Sequence, residues 1–131
     1  MHSRGSLAPC ISAVASLHIC NYTVVVSSLR FEWDEAKNLA NQRKHGVSFK
    51  QASQVFHDHR RVFLPDRIVD GEQRWQTVGL VSAATGGILL LQVAHTVREE
   101  LENGFWVEVI RIISARKATP RERRSYANEN S

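Results

Sequence analysis

The stretch ILLLQVAH (Ile88–His95) is almost continuously apolar and predicts the buried central strand of a sheet. A tight turn at Thr85–Gly87 precedes it, which makes the run Arg74–Val81 its expected antiparallel neighbour. On the other side, the charged stretch Glu99–Gly104 predicts a hairpin loop that leads into the last and longest strand, Phe105–Ala115. Three consecutive strands are therefore expected to form an antiparallel meander.

A short fourth strand and a helix flank this meander. The strand is Arg61–Leu64, which Pro65 closes and the polar loop Asp66–Gly71 follows. The helix begins in the segment TPRE (Thr119–Glu122), which combines an N-cap, a proline at the first helical position and a capping box. The sheet is thus predicted to have four strands and to be followed by a C-terminal helix.

Two helices are predicted ahead of the strands. The first runs from an N-cap at Asp34 to about His45, with Gly46 as its stop, and its expected inner face comprises Ala36, Leu39 and Ala40. Ser48 and Gln51 form a capping box for the second, whose expected apolar face comprises Phe49, Ala52, Val55 and Phe56. This order predicts an α+β fold with two N-terminal helices, a four-stranded antiparallel sheet covered on one face, and a C-terminal helix.

The composition is that of one small globular domain with a localised positive charge. The chain has 131 residues, 43% of them hydrophobic and 23% charged, which argues against disorder. Its formal net charge is +4, and most of the excess lies in Arg116–Arg124, where only Glu122 is acidic. Such a cluster is typical of a surface that binds a polyanion, and a solvated helix face is an equally weighted alternative.

Residues 1–29 differ from the rest and are interpreted as an N-terminal extension, either disordered or produced by a start codon placed too early. Polar residues interrupt their apolar run, so neither a membrane span nor a secretory signal is favoured. Val24–Val26 could add an edge strand to the domain at residues 30–131. Both cysteines, Cys10 and Cys20, lie in this extension, so the domain has no disulfide framework, as is typical of a cytoplasmic protein.

Two arginines and a serine lie towards the end of the last predicted strand. Period-two alternation places Arg111 on the opposite face from Ser114 and Arg116, although strand twist can relax this separation. An unpaired guanidinium is costly to bury. Arg111 is therefore expected either to face a groove or to form a structural salt bridge with Glu72 or Glu108.

Other candidate residues have two readings each. His95 ends the central strand and suits a general base or acid, because its unperturbed pKa lies near ~6.5, or it is a structural histidine. Glu72 and Arg74 are either a base and a phosphate clamp or an ion pair at the lip of the sheet. Lys44 and His45, which end the first helix, either contact substrate or cap the helix.

Neither a metal nor a cofactor is predicted. His57, Asp58 and His59 follow a helix without an evident fourth ligand, which does not make a defined metal site. The chain has no P-loop, no dinucleotide fingerprint and no GxSxG or HExxH motif.

Four blocks carry a resemblance: FEWDEAKNLANQRKHGVSFKQASQVFHD (Phe31–Asp58), DGEQRW (Asp70–Trp75), VAHT (Val93–Thr96) and IRIISARKATPRERRSY (Ile110–Tyr126). Together they resemble the BrnT family of bacterial toxins, from about residue 30 to residue 126. The segment VREELENGFWVEV departs from the family, because it is longer than the usual connection between the last two strands.

The resemblance implies a RelE-like fold and a ribonuclease toxin of a type II toxin-antitoxin system, which cleaves RNA and arrests translation and growth in the cytoplasm. It also implies a hetero-oligomer with a BrnA-type antitoxin, through which alone the protein would reach DNA. No membrane partner is expected. The alternative is a family member without activity, which binds the antitoxin and acts as a transcriptional co-repressor.

A ribonuclease of this kind needs a base for the 2′-hydroxyl, cations for the phosphorane and an acid for the leaving 5′-oxygen, and it needs no metal. Arg74, Arg111 and Arg116 are the candidates for charge stabilisation, because a guanidinium can bind two phosphate oxygens at once. His95 or Glu72 would be the base. The candidate substrate contacts are Lys44, His45, Ser114, Lys117 and, by stacking on a base, Tyr126.

Overall fold

The structure is a computed structural model that describes residues 15–19, 22–26 and 28–130, with side chains from Ser28 onward. Its strands are β1 (Ala15–Ile19), β2 (Tyr22–Val26), β3 (Ser28–Glu32), β4 (Val62–Val69), β5 (Glu72–Ser82), β6 (Ile88–Glu102) and β7 (Phe105–Lys117). Its helices are α1 (Glu35–His45), α2 (Phe49–Ser53) and α3 (Pro120–Glu129), and a 3-10 turn at Gln54–His57 extends α2.

Five strands form one mixed sheet in the order β3-β7-β6-β5-β4. β6 lies in the centre, which confirms the prediction for Ile88–His95, and β4 to β7 form an antiparallel meander. β3 lies at one edge and runs parallel to β7, with Phe31 opposite Ile110. β1 and β2 form a separate antiparallel hairpin.

The prediction of an α+β fold is confirmed, but the prediction of four wholly antiparallel strands is wrong. The additional strand, β3, precedes the helices, so the order of elements also differs from the RelE-like order that the resemblance implied. β3 is held by its ladder with β7 and by Phe31, whose side chain is fully buried. The predicted edge strand at Val24–Val26 lies in β2 and pairs with β1 instead. Residues 1–14 of the predicted extension lie outside the described residues.

Two predicted loops are two-residue turns between longer strands. Asp70 and Gly71 have φ of 53° and 80°, and Asn103 and Gly104 have φ of 52° and 82°. Two successive residues with positive φ form the tight turn whose twist matches a β-hairpin. The loops predicted at 66–71 and 99–104 are therefore wrong. β4 also continues through Pro65, which edge strands tolerate, with a register shift between Pro65 and Ile68.

α1 begins and ends where predicted. The Asp34 side chain accepts a hydrogen bond from the backbone N–H of Lys37, and Gly46 ends the helix with a φ of 72°. The predicted inner face is wrong, however, because Ala36, Leu39 and Ala40 are all exposed.

The buried residues of α1 are two asparagines, Asn38 and Asn41. The Asn41 side-chain amide donates to the carbonyl oxygens of Val47 at 2.9 Å and Ala115 at 2.8 Å, and its oxygen accepts from the Ala115 N–H at 3.2 Å. Asn38 accepts from the backbone N–H of Phe49 at 2.8 Å. Hydrogen bonds from buried amides, rather than an apolar stripe, therefore attach α1 to β7.

The hydrophobic core lies between α2 and one face of the sheet, called the core face below. The predicted apolar face of α2 and its 3-10 extension is buried, and it packs against sheet residues that include Phe31, Leu91, Val93, Ile110 and Ile112. The close approach requires a glycine in β5, because a Cβ at Gly79 would lie 3.0 Å from the Val55 side chain. The opposite face of the sheet is called the open face.

Candidate active site

A β-bulge in β7 brings three of the predicted residues to the open face. The ladder between β6 and β7 pairs Arg111 with Thr96, Ser114 with Ala94 and Arg116 with Gln92. Ile113 has no partner in β6 and is the additional residue of the bulge. Because alternate residues of β6 lie on one face of the sheet, their partners Arg111, Ser114 and Arg116 lie on that face as well. The prediction that Arg111 faces away from Ser114 and Arg116 is therefore wrong. A bulge is a common device for aiming a side chain at a functional site.

Glu72 and Arg111 meet across the central strand on the open face. The Arg111 guanidinium donates to Glu72 Oε1 at 2.7 Å, which is the structural pairing that the sequence offered as one alternative. Both side chains are roughly half exposed, at 42% and 50%, so the pair is open to a ligand. Thr96, which is opposite Arg111 in the ladder, is buried beneath them.

Arg74 shares this face by strand alternation with Glu72. The side chain is half-buried, and its Nε is buried without a hydrogen-bond partner among the described residues. A buried donor without a partner is costly. Arg74 therefore has hydrogen-bonding capacity that an anionic ligand could use.

Arg116 lies further along the open face and connects it to α3. Its guanidinium donates to both carboxylate oxygens of Glu122, at 2.9 Å each. Burial acts to raise the pKa of Glu122, but the bonds from Arg116 and from Thr119 outweigh it and lower that pKa. The predicted capping box of Thr119 and Glu122 is also present. Lys117 is exposed at the end of β7, and its carbonyl oxygen accepts from Arg116.

Two further arginines on this face, Arg30 and Arg98, are paired with carboxylates. Arg98 binds Glu32 at 2.7 Å and Glu100 at 2.7 Å, and Arg30 binds Glu100 and Glu102. Three carboxylates thus surround two guanidinium groups at the hairpin end of the open face. Arg30 and Arg98 therefore add little free positive charge to the face, in contrast to Arg74, whose Nε has no hydrogen-bond partner among the described residues.

His95 lies on the core face and is separated from Arg111 by the sheet. Its side chain is fully buried, and it packs edge-on against Phe56 with the ring centroids 4.8 Å apart. Nε2 lies 2.8 Å from Thr77 Oγ1. Burial lowers the pKa of His95 to about 4, so the ring is neutral at physiological pH. The structure does not bring this residue to the open face.

Three other predicted contacts are also not brought to the Glu72–Arg111 pair. Lys44 and His45 lie in the last turn of α1, on the side of the sheet that α1 covers. Tyr126 lies on α3, and its hydroxyl donates to Asp58 Oδ2 at 2.6 Å. Burial and the neighbouring Asp58 carboxylate raise the pKa of Tyr126 to about 12. That hydroxyl therefore serves to hold α3 against the body of the domain.

Asp58 connects three segments of the chain by hydrogen bonds, a role that the sequence analysis did not predict. Its oxygens accept hydrogen bonds from Tyr126, from the Leu80 N–H at 2.9 Å and from the Arg60 N–H at 2.9 Å. Burial acts to raise its pKa, but these hydrogen bonds dominate and lower it. In the sequence it is flanked by His57 and His59, whereas two of its three hydrogen-bond partners, Leu80 and Tyr126, are 22 and 68 residues away.

In the described part of the chain, no three His, Cys, Asp or Glu side chains come together in a way that would hold a metal ion. No helix within residues 28–130 has the length and apolar character to cross a membrane.

A family model described as "Ribonuclease toxin, BrnT, of type II toxin-antitoxin system" matches residues 33–122. The chain belongs to the BrnT family. The match covers all of β5 and β7 and the start of α3, so it includes Glu72, Arg74, Arg111, Ser114 and Arg116. A search of curated proteins finds no match to this chain. The type II classification of BrnT implies that the protein has an antitoxin partner.

Proposed function

We propose that this BrnT protein is a metal-independent endoribonuclease that acts on RNA at the open face of its sheet. The proposal rests on one observation above all: the exposed carboxylate of Glu72 is 2.7 Å from Arg111, on the face that also carries Arg74 and Arg116. A carboxylate beside several guanidinium groups combines a proton acceptor with donors for phosphate oxygens. We call Glu72, Arg74, Arg111, Ser114 and Arg116 the open-face site.

The reaction is an internal transfer of the phosphoryl group. The 2′-oxygen of RNA attacks the adjacent phosphorus, the bond from phosphorus to the 5′-oxygen breaks, and a 2′,3′-cyclic phosphate and a 5′-hydroxyl result. Glu72 accepts the proton of the 2′-hydroxyl. Arg111 and Arg74 donate to the non-bridging oxygens, on which negative charge accumulates in the transition state. Because the face is open, solvent water supplies the proton to the leaving 5′-oxygen.

The neighbouring residues bind rather than react. Ser114 lies between Arg111 and Arg116 on the same face, within the run of donors that follows β7. Lys117 and the exposed arginines of α3, Arg121 and Arg124, extend the positive surface and can contact phosphates further along the strand. Four predicted residues take no part in the proposed reaction. His95 is buried, and Lys44 and His45 lie on the other side of the sheet. The hydroxyl of Tyr126 is already bonded to Asp58.

The biological role that follows is growth arrest by cleavage of RNA that is needed for translation, in the cytoplasm. The antitoxin is a BrnA-type protein that forms a hetero-oligomer with this chain. DNA is bound by the antitoxin and not by the toxin, consistent with an open face whose hairpin end is saturated by Glu32, Glu100 and Glu102.

The test is degradation of bulk RNA by the purified protein in the presence of EDTA. Wild-type protein should cleave, and Arg111→Ala should lower the rate roughly a hundredfold, as expected when a preorganised donor to a developing oxyanion is removed. Lys50→Ala is the matched control, because it removes an exposed positive charge from α2, outside the open-face site. It should cleave at the wild-type rate.

If wild-type protein leaves RNA intact and its expression does not slow growth, the ribonuclease proposal fails. The alternative, a non-catalytic co-repressor that binds the antitoxin, would then account for the same family membership. Cleavage that is abolished by EDTA would instead overturn the metal-independent mechanism.

A further inference from the structure

An apolar cleft on the core face lies beyond the region that α1 and α2 cover. It has a volume of about 760 Å³ and is lined by Leu29, Phe56, Phe63, Trp75, Val97 and Ile110, with His59, Arg61 and Glu108 at its margin. Phe63 stacks on Trp75 with ring centroids 4.7 Å apart, yet 48% of the Phe63 side chain is exposed. Exposed aromatic surface of this kind, rimmed by polar groups, marks an interaction site more often than a free surface.

The apolar surface continues along the β6–β7 hairpin. The ladder pairs Val97 with Ile110, then Glu99 with Glu108, then Leu101 with Trp106. Strand alternation places all three pairs on the core face. Leu101 and Trp106 are 61% and 55% exposed, although each is large and apolar. The cleft and these three pairs together are called the hairpin face.

Two carboxylates oppose each other in the middle of the hairpin face. Glu99 and Glu108 are direct cross-strand partners, and neither forms an ion pair with any described residue. Like charges directly opposite one another destabilise a sheet. Every other glutamate of the hairpin, by contrast, is paired with Arg30 or Arg98 on the open face. Glu99 and Glu108 therefore form a local negative charge that no ion pair with a described residue neutralises.

We propose that the hairpin face binds a cationic, amphipathic helix of the antitoxin. The apolar residues on either side of the carboxylate pair would contact apolar side chains from two successive turns of the antitoxin helix. Lys or Arg residues between those two turns would neutralise Glu99 and Glu108. The partner of this surface is a protein rather than RNA, because phosphates would be repelled by the two carboxylates. The proposal rests on the antitoxin partnership in the proposed function, and it places that partner on the opposite side of the sheet from the open-face site.

Binding of a labelled helical peptide of Leu and Lys to the full chain tests this chemistry, with a Leu and Glu peptide of the same pattern as control. Wild-type protein should bind the basic peptide and not the acidic one. The double variant Glu99→Gln, Glu108→Gln should bind it about tenfold more weakly at low salt, as expected for loss of two partly exposed ion pairs. Trp106→Ala should weaken binding roughly thirtyfold, as for a central aromatic anchor.

Two controls separate this proposal from the ribonuclease proposal. Glu72→Gln should leave peptide affinity unchanged, and Glu99→Gln, Glu108→Gln should leave RNA cleavage unchanged. The docking proposal is overturned if the glutamine variants bind the basic peptide as wild type does, if no peptide binds, or if a single-stranded RNA oligonucleotide binds and Trp106→Ala abolishes that binding. None of these results bears on whether Arg111→Ala slows cleavage, so the two proposals fail independently.

Discussion

His95 should make the stability of the domain depend on pH below neutrality. The ring is fully buried, and burial lowers its pKa from 6.5 to about 4. In the unfolded chain the ring is solvated and titrates near its ordinary value. Between these two pKa values the unfolded state binds a proton that the folded state does not bind. Folding stability is therefore lost as the pH falls from 6.5 towards 4.

The size of this loss follows from the shift. Each unit of pKa difference is worth about 1.4 kcal/mol, so the fall from 6.5 to about 4 corresponds to roughly 3 kcal/mol in full. Between about pH 7.5 and about pH 5 the free energy of unfolding should decrease by about 2 kcal/mol. Acidic groups with lowered pKa act in a different window. Asp58 and Glu122 contribute stability above their ordinary values of 3.8 and 4.5, and that contribution is lost below them.

Urea unfolding at several pH values measures this dependence, with His95→Gln as the comparison. Glutamine can keep a hydrogen bond to Thr77, but it loses the ring contacts with Phe56 and Phe63. The variant should therefore be less stable than wild type at neutral pH, by about 1–2 kcal/mol. Its stability should nevertheless change little between pH 7.5 and pH 5, because no buried ring remains to be protonated.

The reasoning is refuted if the two proteins lose stability in parallel as the pH falls. Parallel curves would mean that other groups cause the pH dependence, and that the His95 ring is either solvated or protonated in the folded state. A ring that is solvated and neutral at physiological pH would return His95 to the set of candidate bases, whereas a ring that is charged when folded could act only as an acid.

Three further substitutions test the packing account by urea unfolding. Asn41→Leu should lower the free energy of unfolding by about 3 kcal/mol, because it leaves buried backbone groups of Val47 and Ala115 without partners. A decrease in the free energy of unfolding no larger than that of a substitution at an exposed position of α1 would contradict this role of the amide. Glu108→Gln should raise stability by about 0.5 kcal/mol by removing the repulsion with Glu99, and a decrease would show that the carboxylate is paired. Tyr126→Phe should cost about 1–2 kcal/mol through the loss of its bond to Asp58, whereas an unchanged midpoint would mean that α3 is not held there.

The features that the sequence predicted well are those whose causes lie within a few residues. The Asp34 cap bonds an N–H three residues away, and the Thr119 box closes over the same distance, so their chemistry is visible in a short window. Gly46 is recognisable for a similar reason, since a left-handed C-cap favours glycine. The apolar periodicity of α2 was also sufficient to predict its buried side.

The features that the sequence did not predict depend on distant partners. Asn41 is buried because its amide bonds Ala115, which is 74 residues away, and no periodicity in α1 reveals that contact. β3 exists because it pairs with a strand near the other end of the chain. Turn chemistry at Asn103-Gly104 was available in the sequence, but the charged residues around it favoured a longer loop.

The same limits apply to the candidate site. The pairing of Glu72 with Arg111 was one of the alternatives that the residues offered, because a guanidinium within a strand needs a carboxylate. The bulge at Ile113, which places Ser114 and Arg116 beside Arg111, depends on the register of β6 and β7 and leaves no local signature. His95 looked like the end of a strand, and hence accessible, only because β6 was expected to stop seven residues earlier than it does.

The most direct test of the central claim is the single-turnover rate of RNA cleavage in EDTA at about pH 7.5 for Glu72→Gln and His95→Gln. Both substitutions remove a candidate base, but on opposite faces of the sheet. If Glu72 accepts the 2′-hydroxyl proton, Glu72→Gln should be slower than wild type by roughly a hundredfold or more, while folded His95→Gln should cleave at close to the wild-type rate. Loss of cleavage in His95→Gln together with normal cleavage in Glu72→Gln would contradict the assignment of the reaction to the open face.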